Sequence, residues 1–125
     1  LAGALDVVGE CTPTAPVSVL QVHGDADGTI LFDGGAIDGE PYTSAMKTVS
    51  WWRRTDGCTG KGRSGARLDA DAQLPGDDLQ MTTWTGCSNG SEVALWTIAG
   101  GSHSPTLTPA FTAALFEWFE AHRRS

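Results

Sequence analysis

Two short runs hold the residue types that acid–base catalysis needs. His23-Gly24-Asp25-Ala26-Asp27-Gly28 puts a histidine and two carboxylates in a glycine-rich stretch, and Gly100-Gly101-Ser102-His103-Ser104-Pro105 puts a second histidine in another. An imidazole held at one ring nitrogen by a buried carboxylate has its tautomer fixed and its charged form stabilised. Its other nitrogen is then free to take a proton from a hydroxyl. Asp27 and His103 are the candidate pair, and Asp25 is the rival for the acid. The bland alternative for Asp27 is a turn cap, because aspartates in such loops bond their own backbone. His23 reads as a buried structural residue, and His122 as a helix-end residue interacting with the dipole. Ser102 and Ser104 flank the candidate base but lack the strained strand-to-helix turn that exposes a nucleophile.

These runs need elements to carry them. Residues 16–23 are β-branched and apolar between Pro16 and Gly24, which predicts a central strand buried on both faces. His23 and the two aspartates then emerge at its carboxyl end, the edge where open α/β sheets form their sites. Residues 24–42 are rich in Gly and Asp and are expected to form a long loop. Residues 44–55 predict a helix with Met46, Val49, Trp52 and Arg53 as its stripe, Thr43 or Ser44 as N-cap and Gly57 as C-cap. Residues 60–78 show no clean period and predict surface loop, with at most a short strand near 66–68 and solvated carboxylates at Asp69, Asp71, Asp77 and Asp78. Residues 79–85 and 92–98 flank a turn-forming connector and predict an antiparallel hairpin at the sheet's edge. His103 would follow its second strand. Residues 109–122 predict an amphipathic helix capped by Thr108, with Pro109 first and Phe111, Leu115, Trp118, Phe119 and His122 on one face. The five tryptophans read as core, not as a substrate cleft.

The sequence also resembles the polyhydroxybutyrate depolymerase and feruloyl esterase group of secreted α/β-hydrolases. The likeness runs from about Pro16 to the C-terminus. It rests on Val22-His23-Gly24-Asp25-Ala26-Asp27-Gly28-Thr29-Ile30, on Phe32-Asp33-Gly34-Gly35, on Asp56-Gly57-Cys58, and on Trp96-Thr97-Ile98-Ala99-Gly100-Gly101-Ser102-His103-Ser104. By that resemblance Asp27 matches the catalytic acid and His103 the base, and Cys58 and Cys87 match positions that commonly pair. The implied fold is the C-terminal portion of an α/β-hydrolase, with parallel strands plus an edge hairpin flanked by helices. The implied activity is carboxylic-ester hydrolysis of the serine type with no cofactor, on a polyhydroxyalkanoate, a feruloyl ester or a related ester. The chain departs from the group's pattern at Leu31, where Pro is frequent, and at Pro105-Thr106, where Trp-Pro is frequent. In α/β-hydrolases the triad runs Ser, Asp, His along the chain, so a G-x-S-x-G turn and the oxyanion donors are expected upstream of Leu1, in an N-terminal half of the same hydrolase. A non-catalytic binding or interaction module that keeps a hydrolase-like half-fold is the alternative.

Length and composition set the remaining bounds. A chain of 125 residues suits one domain, here expected to be a single partial one spanning 1–125. Its start, Leu1-Ala2-Gly3, has neither an initiator Met nor a signal peptide's pattern, so the chain is expected to be a processed or truncated piece. A net charge of −7 repels phosphate backbones, and no apolar run is long enough to span a bilayer, so neither nucleic acid nor membrane is an expected partner. With three cysteines, no C-x-x-C pair and three histidines, no structural metal cluster is expected. Cys58 and Cys87 both sit in turn-like stretches. A disulfide between them would staple a long loop and imply a secreted or periplasmic protein. Cys11 is then left over, which predicts a partner outside this segment.

Overall fold

The computed structural model describes Gly3 and residues 12–123. Its main sheet has four strands: β1 (Val19–Gly24), β4 (Arg63–Ser64), β5 (Leu79–Trp84) and β6 (Val93–Ile98), in the order β1-β6-β5-β4. A two-stranded ribbon, β2 (Gly35–Ile37) and β3 (Glu40–Tyr42), stands apart from it. Two helices complete the fold, α1 (Ala45–Thr55) and α2 (Pro109–Ala121). The architecture is α/β with a mostly antiparallel sheet, because β1 and β6 run parallel while β5 is antiparallel to both β6 and β4. The expectation of parallel strands with a hairpin at the edge is corrected on this point. The β5–β6 hairpin forms, but it lies inside the sheet, with β1 beyond β6 and β4 beyond β5. Among the described residues β1 is terminal in the sheet and not central.

The reason lies in side-chain alternation along β6. Val93 and Leu95 pack with Ala45 and Val49 of α1, while Ala94, Trp96 and Ile98 pack with Phe111 of α2. A helix on each face lets all six positions of β6 be apolar or nearly so, the pattern of a strand buried on both sides. In β1 only Leu20 and Val22 join that core, and the alternate positions carry Gln21 and His23.

α1 is capped by Ser44, whose hydroxyl accepts from Lys47 N at 3.0 Å, and stops at Asp56 followed by Gly57 at φ +65°. Its buried residues are Ala45, Thr48, Val49 and Trp51, so the inward face is rotated from the expected stripe and Met46 is exposed. Thr108 caps α2 through Phe111 N at 3.1 Å, with Pro109 in the first turn as expected. On α2 only Phe111 is fully buried, and Phe119 stands exposed.

The predicted loop 24–42 contains the β2–β3 ribbon. Asp38 and Gly39 both have positive φ, +51° and +86°, which is the two-residue turn that matches strand twist in a hairpin. The short strand expected near 66–68 is displaced to Arg63–Ser64, with Leu68 making one isolated bridge to Leu79. Two of the supposedly solvated carboxylates are buried. Asp78 accepts from Ala70 N and Asp71 N, and Asp71 accepts from Gln73 N and Thr106 N, so both organise backbone.

Cys58 and Cys87 form a disulfide with Cα atoms 3.8 Å apart, tying the end of α1 to the β5–β6 connector. Cys11 lies outside the described residues. No helix among the described residues is long and apolar enough to cross a membrane. The bridge spans a separation of 29 residues, and constraining a loop of that length in the unfolded chain contributes about 3–4 kcal/mol. Replacing both cysteines with serine is expected to lower stability by that amount in reversible urea unfolding. A loss below about 1 kcal/mol would show that the bridge adds little constraint.

Candidate active site

Parallel pairing of β1 with β6 aligns His23 with Thr97 and Gly24 with Ile98, so the loops after both strands leave the same end of the sheet. There they touch backbone to backbone. A Cβ added at Gly24 would lie 2.2 Å from the Gly101 carbonyl oxygen, so no larger residue fits without moving the second loop. Asp25 N donates to Ile98 O at 3.2 Å and Ala26 N to Gly101 O at 3.1 Å. The Asp25 carboxylate accepts from Gly100 N at 2.6 Å. Asp25, the rival for the acid, is thereby committed to clamping the second loop. Further on, Thr106 N donates to the Asp71 carboxylate and Thr106 O accepts from Ala72 N, so the loop is held on both sides of His103.

Within this frame Nδ1 of His103 lies 3.0 Å from Oδ2 of Asp27. The Asp27 side chain is fully buried, while that of His103 is 40% exposed. The other carboxylate oxygen, Oδ1, accepts from Thr29 N at 2.8 Å and Ile30 N at 2.9 Å. The turn-capping role and the contact to His103 therefore coexist, one on each oxygen. Burial opposes ionisation of Asp27, but the bonds from His103, Thr29 and Ile30 outweigh it and hold the carboxyl below its ordinary value of 3.8. A carboxylate can only accept, so Nδ1 carries the hydrogen. The Nε2 lone pair is left without a hydrogen-bond partner among the described residues. A ring in that state is chemically a base, oriented from behind by an anion.

A second histidine supports the acid. His23 is fully buried, and its Nε2 lies 2.7 Å from Ile30 O and 3.5 Å from Oδ2 of Asp27. Facing a carbonyl, Nε2 must donate, and Nδ1 accepts from the Gln21 amide at 3.4 Å. Phe32 packs edge-on against the ring at 5.5 Å between centroids. Gln21 went unnoticed in the sequence. Its only signal was a polar residue at an inward position of an otherwise apolar strand.

Among the described residues no hydroxyl or thiol is hydrogen-bonded to Nε2 of His103. Ser102 Oγ accepts from Ser104 N at 3.3 Å. The expectation that places the G-x-S-x-G turn upstream of Leu1 overlooks a run of that spacing within the chain, Gly86-Cys87-Ser88-Asn89-Gly90. It is not an elbow in space. The run forms a 3₁₀ turn between two antiparallel strands instead of a strand-to-helix turn, its Cys87 is in the disulfide, and Ser88 N donates to Asp56 O. It also precedes β6 whereas His103 follows it, and six residues at about 3.3 Å each separate the two ends by about 20 Å. Among the described residues no group of three or more His, Cys, Asp or Glu side chains is arranged to hold a metal ion.

Against known proteins, the chain is similar to feruloyl esterase B of Piromyces equi, 30% identical over 101 residues. The match covers 77% of this chain but 17% of that protein, so the chain spans a small fraction of the relative's length. No family profile matches the chain, and neither does any solved structure. The likeness points to an esterase relationship.

The depressed titration of Asp27 sets a pH window. A group whose folded value lies below its unfolded one contributes stability that is fully present above the unfolded value, here 3.8, and is lost as pH falls through the folded value. Stability measured by denaturant unfolding should therefore decline below pH 3.8, and Asp27→Asn should flatten that part of the profile. An unchanged profile in the variant would mean that these hydrogen bonds do not favour the ionised form.

Proposed function

We propose that this chain supplies the acid and base of a carboxylic-ester hydrolase of the serine type, Asp27 as acid and His103 as base. The observation that carries this is the 3.0 Å contact from a buried, ionisation-favoured carboxylate to Nδ1, with no hydrogen-bond partner for Nε2 among the described residues. The likeness to an esterase supports the same reading. So does the parallel β1–β6 pair delivering both residues to one edge, which fits the C-terminal part of an α/β-hydrolase sheet. Residues 1–125 are then a single partial domain. The nucleophilic serine and oxyanion donors come from an N-terminal half of the same hydrolase.

In that assembly Nε2 of His103 takes the proton of the serine hydroxyl as its oxygen attacks the ester carbonyl. The same proton passes to the leaving alkoxide. Water, deprotonated by Nε2, then cleaves the acyl-enzyme, and the serine recovers its proton from His103. Asp27 keeps the ring in the productive tautomer throughout and stabilises its charged form. A feruloyl-type ester is the favoured substrate by the likeness to a feruloyl esterase, with a polyhydroxyalkanoate or other polyester as the alternative ester. The Cys58–Cys87 bridge suits an oxidising compartment, and we place the protein outside the cytoplasm, secreted or periplasmic. No cofactor, nucleic acid or membrane enters this scheme.

The test uses the protein as it is naturally produced, with any polypeptide continuous with or bound to this chain. Turnover of p-nitrophenyl and feruloyl esters is expected to fall about 10⁴-fold in Asp27→Asn, with unchanged circular dichroism, by the logic of a lost tautomer. His103→Ala should be at least as damaging. Wild-type-like turnover in both variants would overturn the assignment and leave a non-catalytic module as the reading of this half-fold.

A further inference from the structure

The net charge of −7 hides a segregation. Residues 45–68 hold six of the eight Lys and Arg, at 47, 53, 54, 61, 63 and 67, against a single carboxylate, Asp56. That segment therefore carries +5 while the rest, with two basic and fourteen acidic residues, carries −12. None of the six cations is in an ion pair among the described residues. Asp56 does not balance them, since it is fully buried and burial raises its titration above the ordinary value despite a bond from Val17 N.

Arg53 and Arg54 lie where α1 ends and line one cleft, while exposed Lys61 and Arg63 lie on the neighbouring segment, Arg63 level with Thr83 and so on the sheet face opposite Trp84. The Arg53 guanidinium lies over the Trp84 indole, 4.7 Å from the ring centroid, and is pre-oriented by that contact. Gly62 lies against the same indole, since an added Cβ there would be 2.8 Å from its Nε1, and it is flanked in sequence by exposed Lys61 and Arg63. Exposed Arg54 is next to Arg53. A cleft of about 480 Å³ opens here, lined by Ser50, Arg53, Arg54, Gly57, Cys58 and Thr59. Asp56 bonds Val17 N, just before β1, so the cleft sits at the end of the sheet opposite Asp27 and His103.

We infer that this cleft and its flanking cations are a docking site for an acidic polysaccharide, a sugar chain bearing carboxylates. Guanidinium forks match carboxylates in a bidentate geometry, and the Ser50 and Thr59 hydroxyls suit a sugar's hydroxyls. A protein partner or an inserting membrane would want an apolar anchor at the centre of the patch. The exposed large apolar residues, Leu31, Ile37, Met46, Leu107, Phe116 and Phe119, are not among the residues of this cleft. A rigid nucleic-acid duplex, with one charge per about 1.7 Å, would run off the patch onto the acidic remainder, whereas a flexible, sparsely charged chain stays within it. Docking is independent of the hydrolase reading, because it uses none of the residues around His103.

The test measures binding of polygalacturonate to the naturally produced protein by calorimetry, independent of activity. Binding is expected at about 50 mM salt and at least about tenfold weaker at about 300 mM, as for counterion release. The exposed pair Arg54→Glu with Lys61→Glu should raise Kd by about tenfold or more, and it leaves the Arg53–Trp84 stack that could affect folding untouched. Absence of binding at low salt would overturn the proposal. So would insensitivity to the charge reversals, or equal or tighter binding of dextran, poly-glutamate, duplex DNA or anionic vesicles.

Discussion

The loops that leave β1 and β6 run so close that the backbone of one occupies the space where a side chain of the other would be. Gly24 makes this approach possible, and the Asp25 carboxylate on Gly100 N, with the bonds from Asp25 N and Ala26 N, keeps it in place. The rest of the site depends on that contact. Residues 27 and 103 are 76 positions apart, and they meet because parallel pairing sends both chains out of the same end of the sheet. Once the loops are locked, only a small reach remains for the two side chains, so little conformational entropy is lost in bringing them together.

Around the acid the structure solves a desolvation problem. A carboxylate with no exposed side-chain surface is costly unless each lone pair has a donor, and Asp27 has two backbone N–H groups on one oxygen and an imidazole on the other. Gln21, His23 and the Ile30 carbonyl form a second chain of bonds behind it. These polar residues occupy strand positions that would otherwise be core. β1 therefore contributes less apolar surface than β6, and the core on both faces is built chiefly around β6 and the two helices.

The opposite end of the sheet is organised by other forces. There the disulfide joins the end of α1 to the β5–β6 connector, Arg53 stacks on Trp84, and Arg53 and Arg54, which have no ion pair among the described residues, line a cleft in a chain that is acidic outside residues 45–68. The two ends thus differ in sign as well as in chemistry. The screening length at physiological salt is about 8 Å, so charges at one end have little direct influence on the other.

Local signals in the sequence determined the caps, the turns and the paired strands. Ser44 and Thr108 cap the helices they precede, and the 79–98 region folds back as a hairpin because its connector is rich in turn formers. The spacing of the histidine and aspartate runs, each just after a strand, was enough to nominate Asp27 and His103. The family resemblance favours Asp27 over Asp25, and the tertiary structure supplies the physical reason, since the second loop presents the His103 ring to Asp27 and the Gly100 N–H to Asp25. Tertiary structure alone decided the position of β1 at the end of the sheet and the inward turn of α1, which follow from packing partners on both faces. That Asp71 and Asp78 are buried backbone acceptors, and that Gly86-Cys87-Ser88-Asn89-Gly90 is a turn remote from the base, likewise depend on contacts between residues far apart in the chain. Periodicity and propensity report on neighbours within a few positions, whereas the donors that satisfy a buried carboxylate arrive from wherever the fold brings them.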